Sequence, residues 1–147
     1  FTGGSNVMNV VTDTTNTYGA DNSNVNINVT GSSNTMTLNQ ATTAAAGTLD
    51  LDWIIQGSNN TVTSTINIDQ ATNYMDIDGS DNTVTYVGTG VNASAQGYFW
   101  LDHTGGSRTF TISQTSTQNN DWLTITSNGS NGTVCVEQDD GGTAVGC

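Results

Sequence analysis

The chain has 147 residues, with one Arg, no Lys, thirteen acids and no Pro, for a formal net charge of −12. Such a polyanion cannot grip nucleic acid or an anionic membrane through charge, because neutralising phosphates needs Lys or Arg. Thr, Asn and Gly supply 63 residues, and no apolar run approaches the roughly 20 residues of a membrane-spanning helix. The composition therefore reads as one all-β domain.

A start at Phe1, with no targeting sequence, reads as a mature secreted product. Residues 1–30 read as a degenerate N-terminal rung or a docking segment, running from Ser5-Asn6-Val7 into the alternating Val25-Asn26-Ile27-Asn28-Val29. From residue 31 to 138 the chain repeats. Met36, Val62, Val84, Phe110 and Val134 recur at spacings of 26, 22, 26 and 24 residues. Five positions before each stands a glycine: Gly31, Gly57, Gly79, Gly105 and Gly129. Asn34, Asn60 and Asn82 precede the apolar residue by two places, with Arg108 and Gly132 in the later copies. Thr35, Thr61, Thr83 and Thr109 come just before it, and Thr37, Thr63, Thr85 and Thr111 just after. Gln40, Gln114 and Gln138 follow by four, whereas Ile66 and Gly88 hold that place in the other copies.

Upstream of each glycine a second segment alternates in the same register. Its inward positions hold Val29, Ile55, Ile77, His103 and Ser127, then Ile27, Trp53, Met75, Leu101 and Ile125, then Val25, Leu51, Asn73, Phe99 and Leu123. Apolar residues at every second place mean strands with one buried face. The Gly-Ser pair between the strands is turn chemistry. The length differences fall in the other connection, Ala41 to Gly47 and Gly88 to Gln96, which reads as the tolerant loop. Identical columns at fixed register predict a β-solenoid of stacked two-strand rungs, about 24 residues each. Met36, Val62, Val84, Phe110 and Val134 are its expected core ladder. Asn34, Asn60 and Asn82, with Gln40, Gln114 and Gln138, are its expected polar ladders, each amide bonding to the rungs on either side.

The strand Ser32-Ser33-Asn34-Thr35-Met36-Thr37-Leu38-Asn39-Gln40, a Gly-rich arc and a second alternating strand resemble the curlin repeat family of bacterial curli fibres. Ser130 to Gln138 repeats the pattern more loosely, and the likeness spans roughly residues 21 to 138. The resemblance implies a secreted protein of stacked rungs that polymerises into an amyloid-like fibre of the biofilm matrix. The expected function is thus a structural fibre subunit, with further copies of itself as partner and no cofactor.

Other chemistries compete. The Thr-x-Thr pairs point outward by parity, in two columns at roughly 4.7–4.9 Å spacing. They resemble the ice-binding face of Thr-rich antifreeze solenoids, although Thr also simply suits an exposed strand. Tyr74, Tyr98, Trp100 and Trp122 are expected on an outward face, where they would stack across rungs, contact a neighbouring filament or bind surface glycans, as an adhesin or viral fibre segment would. Asp76, Asp78 and Asp81 lack the spacing of a calcium loop, and solvation accounts for them. No metal site is expected. Enzyme chemistry has little support: His103 is the single His, falling in the inward column with Ile55 and Ile77 or in a two-residue turn extension, and Asp50 with Asp52 is the ordinary pattern of a solubilised strand. Residues 139–147 read as a tail closed by a disulfide between Cys135 and Cys147, the two cysteines of the chain.

Overall fold

The computed structural model describes residues 1–12, 22–40, 49–67, 69–90, 97–116 and 121–140. Its elements are eleven strands: β1 (Val7–Thr12), β2 (Asn24–Thr30), β3 (Thr35–Gln40), β4 (Leu49–Gln56), β5 (Thr61–Asn67), β6 (Ala71–Asp78), β7 (Asn82–Gly90), β8 (Tyr98–Thr104), β9 (Arg108–Ser116), β10 (Trp122–Asn128) and β11 (Thr133–Asp140). Odd strands form a six-stranded sheet in the order β1-β3-β5-β7-β9-β11, and even strands a five-stranded sheet in the order β10-β8-β6-β4-β2. Every pairing is parallel. Each strand pairs with the strand two places on in the chain, so successive pairs climb as rungs. The protein is a β-solenoid.

The register follows the repeat. Met36 pairs with Val62, Val62 with Val84, Val84 with Phe110, and Phe110 with Val134. In the second sheet Val29, Ile55, Ile77, His103 and Ser127 form one continuous column. The inward residues of both sheets meet in one core, where Val29, Met36, Leu38, Leu51, Ile55, Ile77, Val84 and Phe110 are fully buried. Burying each side chain of this size stabilises by about 1.5–3 kcal/mol. Tyr86 lies flat against Phe99 across the core, with ring centroids 4.0 Å apart. Tyr86 stands in a second inward column, Leu38-Ser64-Tyr86-Ile112-Val136, which the repeat motif passes over because its members share no residue type.

The turns between even and odd strands are built alike. The glycines open them with φ of +133° at Gly31, +137° at Gly57 and +140° at Gly79. Two places on, Ser33, Asn59, Asp81 and Asn131 take φ near +60°, which short polar side chains tolerate. Each glycine N–H continues the ladder through the turn: Gly31 donates to the Gln56 carbonyl at 2.8 Å, and Gly57 to the Asp78 carbonyl at 2.8 Å. A side chain would end this stacking. A Cβ on Gly57 would stand 2.1 Å from the Gly31 carbonyl oxygen.

The N-terminal segment is a rung in register: Met8 pairs with Met36 and Val10 with Leu38, while Val25 pairs with Leu51. Strand β7 runs on through Gly88 to Gly90, opposite Gln114 to Ser116, so the tolerant loop begins later than Gly88. Neighbouring strands hold this glycine-rich end by backbone hydrogen bonds, which need no side chain. Strand β11 likewise takes in Asp139 and Asp140, paired with Thr115 and Ser116. The expected loop at 41–47 and the tail from 141 lie outside the described residues.

Candidate functional site

Inside the solenoid the Asn column forms a directed hydrogen-bond ladder whose side-chain bonds run from Asn6 to Asn60, where the buried Nδ2 of Asn60 makes none. Asn6 Nδ2 donates to Asn34 Oδ1 at 3.1 Å, and Asn34 Nδ2 to Asn60 Oδ1 at 3.2 Å. The backbone N–H of each of Asn6, Asn34 and Asn60 also donates to the side-chain oxygen of the next Asn, at 3.1, 3.0 and 2.9 Å. Arg108 holds the next place and offers no such oxygen, so Asn82 Nδ2 turns to the Gly57 carbonyl at 3.0 Å. A serine ladder beside it runs the other way: Ser58 N–H donates to Ser32 Oγ, Ser80 N–H to Ser58 Oγ, and Gly106 N–H to Ser80 Oγ.

The Gln residues do not form a ladder. Gln40 pairs with Ile66, Ile66 with Gly88, and Gly88 with Gln114, so two rungs without an amide separate the two glutamines. An amide bridges rungs when the adjacent rung answers it, and here it does not. Both are buried, and Gln40 Oε1 and both amide atoms of Gln114 make no hydrogen bond. Gln138 pairs with Gln114 in the sheet but is exposed, and its Nε2 donates to the Asp121 carbonyl at 2.8 Å.

His103 stands in the inward column between Ile77 and Ser127 and is fully buried. Its Nε2 lies 3.2 Å from the Gly79 carbonyl and its Nδ1 3.0 Å from Ser127 Oγ. A carbonyl must accept, so Nε2 carries the proton and Nδ1 accepts from the hydroxyl. Burial pushes the imidazole pKa below its ordinary value. The ring also meets Phe110 edge-on at 5.1 Å. This is a satisfied core histidine.

The outer faces carry the expected columns, with corrections of degree. Thr35, Thr61, Thr83 and Thr109 align, as do Thr37, Thr63, Thr85 and Thr111. Thr35, Thr61, Thr109 and Thr111 are exposed; Thr37, Thr63, Thr83 and Thr85 are half-buried, because side chains on adjacent rungs shield one another. On the other sheet Tyr74 pairs with Trp100 and Tyr98 with Trp122. Tyr74, Trp100 and Trp122 are exposed, whereas Tyr98 is half-buried between Trp100 at 5.7 Å and Trp122 at 6.2 Å.

Among the described residues the solenoid is open at its ends. Among the described residues β1 and β11 end the six-stranded sheet, and β2 and β10 the five-stranded one, apart from a bridge of Thr2 to Thr30. Val134, an inward residue of the expected core ladder, is 39% exposed, and Val136 is 45% exposed. They point inward, and among the described residues no further rung covers them. Met8, Val10 and Val25 are partly covered at the other end. Cys135 lies on β11 opposite Thr111, and no free thiol occurs among the described residues. Cys147, its expected partner, lies outside them. No group of three His, Cys, Asp or Glu residues among the described residues is placed to hold a metal ion.

The fold thus defines a β-solenoid repeat protein whose terminal rungs are open among the described residues. Comparison with protein-family models, with curated proteins and with solved structures finds no match to this chain. The curlin resemblance therefore rests on the residues of the repeat themselves.

Proposed function

We propose that the protein is a structural subunit of a secreted extracellular fibre, assembling end to end with further copies of itself, rung on rung. The observation that carries this reading is the openness of both terminal rungs among the described residues. Their inward residues are as apolar as the core yet incompletely covered, with Val134 and Val136 at one end and Met8 and Val10 at the other. Backbone N–H and C=O groups along such edges pair with another chain unless something blocks them. Head-to-tail contacts of this kind build an open filament and not a closed ring. The resemblance to curlin repeats supports the same reading and adds the biofilm matrix as setting. A Cys135–Cys147 disulfide would tie the tail near the last rung.

Analytical ultracentrifugation over a wide concentration range, with electron microscopy alongside, tests it. Filaments are expected, with a meridional reflection near the roughly 4.7–4.8 Å strand spacing. A monomer at every concentration, with no filaments after long incubation, refutes the fibre.

The aligned Thr columns favour a second reading, an ice-binding solenoid. Inhibition of ice growth that Thr61→Tyr and Thr83→Tyr abolish would establish it.

A further inference from the structure

On the outer face of the five-stranded sheet, aromatic rings and carboxylates share the same strands. Tyr74 lies beside Trp100, and Tyr98 beside Trp122, so rings stand on three successive rungs. Tyr98 and Trp100 lie within 7° of parallel with ring centroids 5.7 Å apart, so they stack face to face, and Trp122 is tilted by 41° against Tyr98: the cluster is a row of stacked rings. Trp122 is 58% exposed.

The carboxylates border these rings. Asp52 pairs with Tyr74 from the rung on one side, and Asp76 pairs with Asp102 two residues further along. Their field is felt locally. The Tyr74 phenol is held above its ordinary pKa, by burial first and then by Asp76, Asp102, Asp52 and Asp78. The Asp76 carboxyl is also raised, by burial first and then by Asp78 and Asp102. Negative charge here is crowded and favours an incoming cation.

The chain cannot supply that cation. It has no Lys, and its single Arg, Arg108, opens β9 in the other sheet. A second copy laid sideways on this face brings no Lys and another net charge of −12, so it cannot answer these carboxylates, whereas end-to-end stacking leaves this face open. The occupant is therefore a foreign molecule that is cationic and has flat apolar surface for the rings.

We propose that this face binds a linear amino-sugar polymer, a chain of glucosamine units with free ammonium groups. The C–H faces of the sugar rings lie on Trp100 and Trp122. The ammonium groups sit over aromatic faces and against Asp52, Asp76 and Asp102. Binding does not depend on whether copies stack into a fibre.

Calorimetric and tryptophan-fluorescence titrations of the full chain with a glucosamine hexasaccharide test this, with the N-acetylated hexasaccharide and hexalysine as comparison probes. The glucosamine oligomer is expected to bind saturably, with affinity falling as salt rises. The N-acetylated oligomer should bind at least about tenfold more weakly, having lost its charge. Trp100→Ala with Trp122→Ala should weaken binding at least about tenfold with unchanged circular dichroism. Asp52→Asn with Asp102→Asn should weaken it too and flatten the salt dependence. Absence of saturable binding overturns the proposal. So does equal affinity for the N-acetylated oligomer, which means recognition of neutral glycan. Hexalysine binding as tightly, and indifferently to the Trp variants, also overturns it, because that is charge attraction without contact to the rings.

Discussion

Asn34 and Asn60 stand 26 positions apart in the chain, yet Asn34 gives two hydrogen bonds to one oxygen of Asn60, from Nδ2 at 3.2 Å and from its backbone N–H at 3.0 Å. That single buried oxygen satisfies two donors on the neighbouring rung. Asn60→Leu leaves both unanswered and is expected to lower stability by about 2–4 kcal/mol. Gln114→Met instead removes an amide that makes no hydrogen bond, and is expected to be neutral or to stabilise by up to about 1 kcal/mol. Urea unfolding of both variants checks the contrast; equal losses would show that the Asn ladder is energetically no different from the broken Gln column.

Gly57→Ala is expected to cost more than about 2 kcal/mol, since the backbone conformation and the close carbonyl both oppose a Cβ. Ser58→Ala next to it removes one hydrogen bond, from Ser80 N–H, and should cost about 1 kcal/mol. Thermal unfolding midpoints rank the two, and a milder effect at Gly57 would contradict the stacking of the turns.

The buried His103 makes stability depend on pH. Its folded pKa lies below its unfolded one, so the unfolded state binds the proton first as pH falls. Stability is therefore full above the unfolded value, about 6.5, and is lost as pH drops from there towards the folded pKa. His103→Ile, which continues the Ile55–Ile77 column, removes this contribution. Denaturation midpoints of wild type and variant should diverge in slope between about pH 7 and pH 5; parallel curves would contradict the assignment. The difference between them isolates His103 from the carboxylates, which titrate in both.

Two substitutions in one column separate folding from assembly. Val84 is fully buried mid-ladder, and Val84→Asp places an unpaired charge there, expected to cost more than about 3 kcal/mol. Val134 belongs to the same ladder on the open rung. Val134→Asp should leave the monomer folded by circular dichroism and block filament growth in electron micrographs. Filaments of normal length from the Val134 variant would mean that this end does not stack.

A Cys135–Cys147 bond should show as a mass two hydrogens below that of the reduced chain, and reduction should lower stability by about 2–3 kcal/mol. Two alkylatable thiols in the unreduced protein would refute the pairing.

The alternation around Met36, Val62, Val84, Phe110 and Val134 determined by itself which side chains face inward and which residues share a column, because a strand has period two and a stacked repeat preserves register. The inward His103 and the aligned Thr columns were legible on the same ground. The first rung was harder to read: its Asn6 and Met8 match the columns, but a long connection to β2 hides the period. Tertiary structure decided what each column does. A stacked amide bonds only if the next rung answers: the Asn side chains do so from Asn6 to Asn60, whereas Gln40 faces Ile66, and the Gln138 amide beside Gln114 goes to the Asp121 carbonyl instead. Exposure was decided in the same way. Val134 carries the core's residue type and orientation, yet it is part open because burial on a solenoid requires a rung on both sides, and the last rung has one.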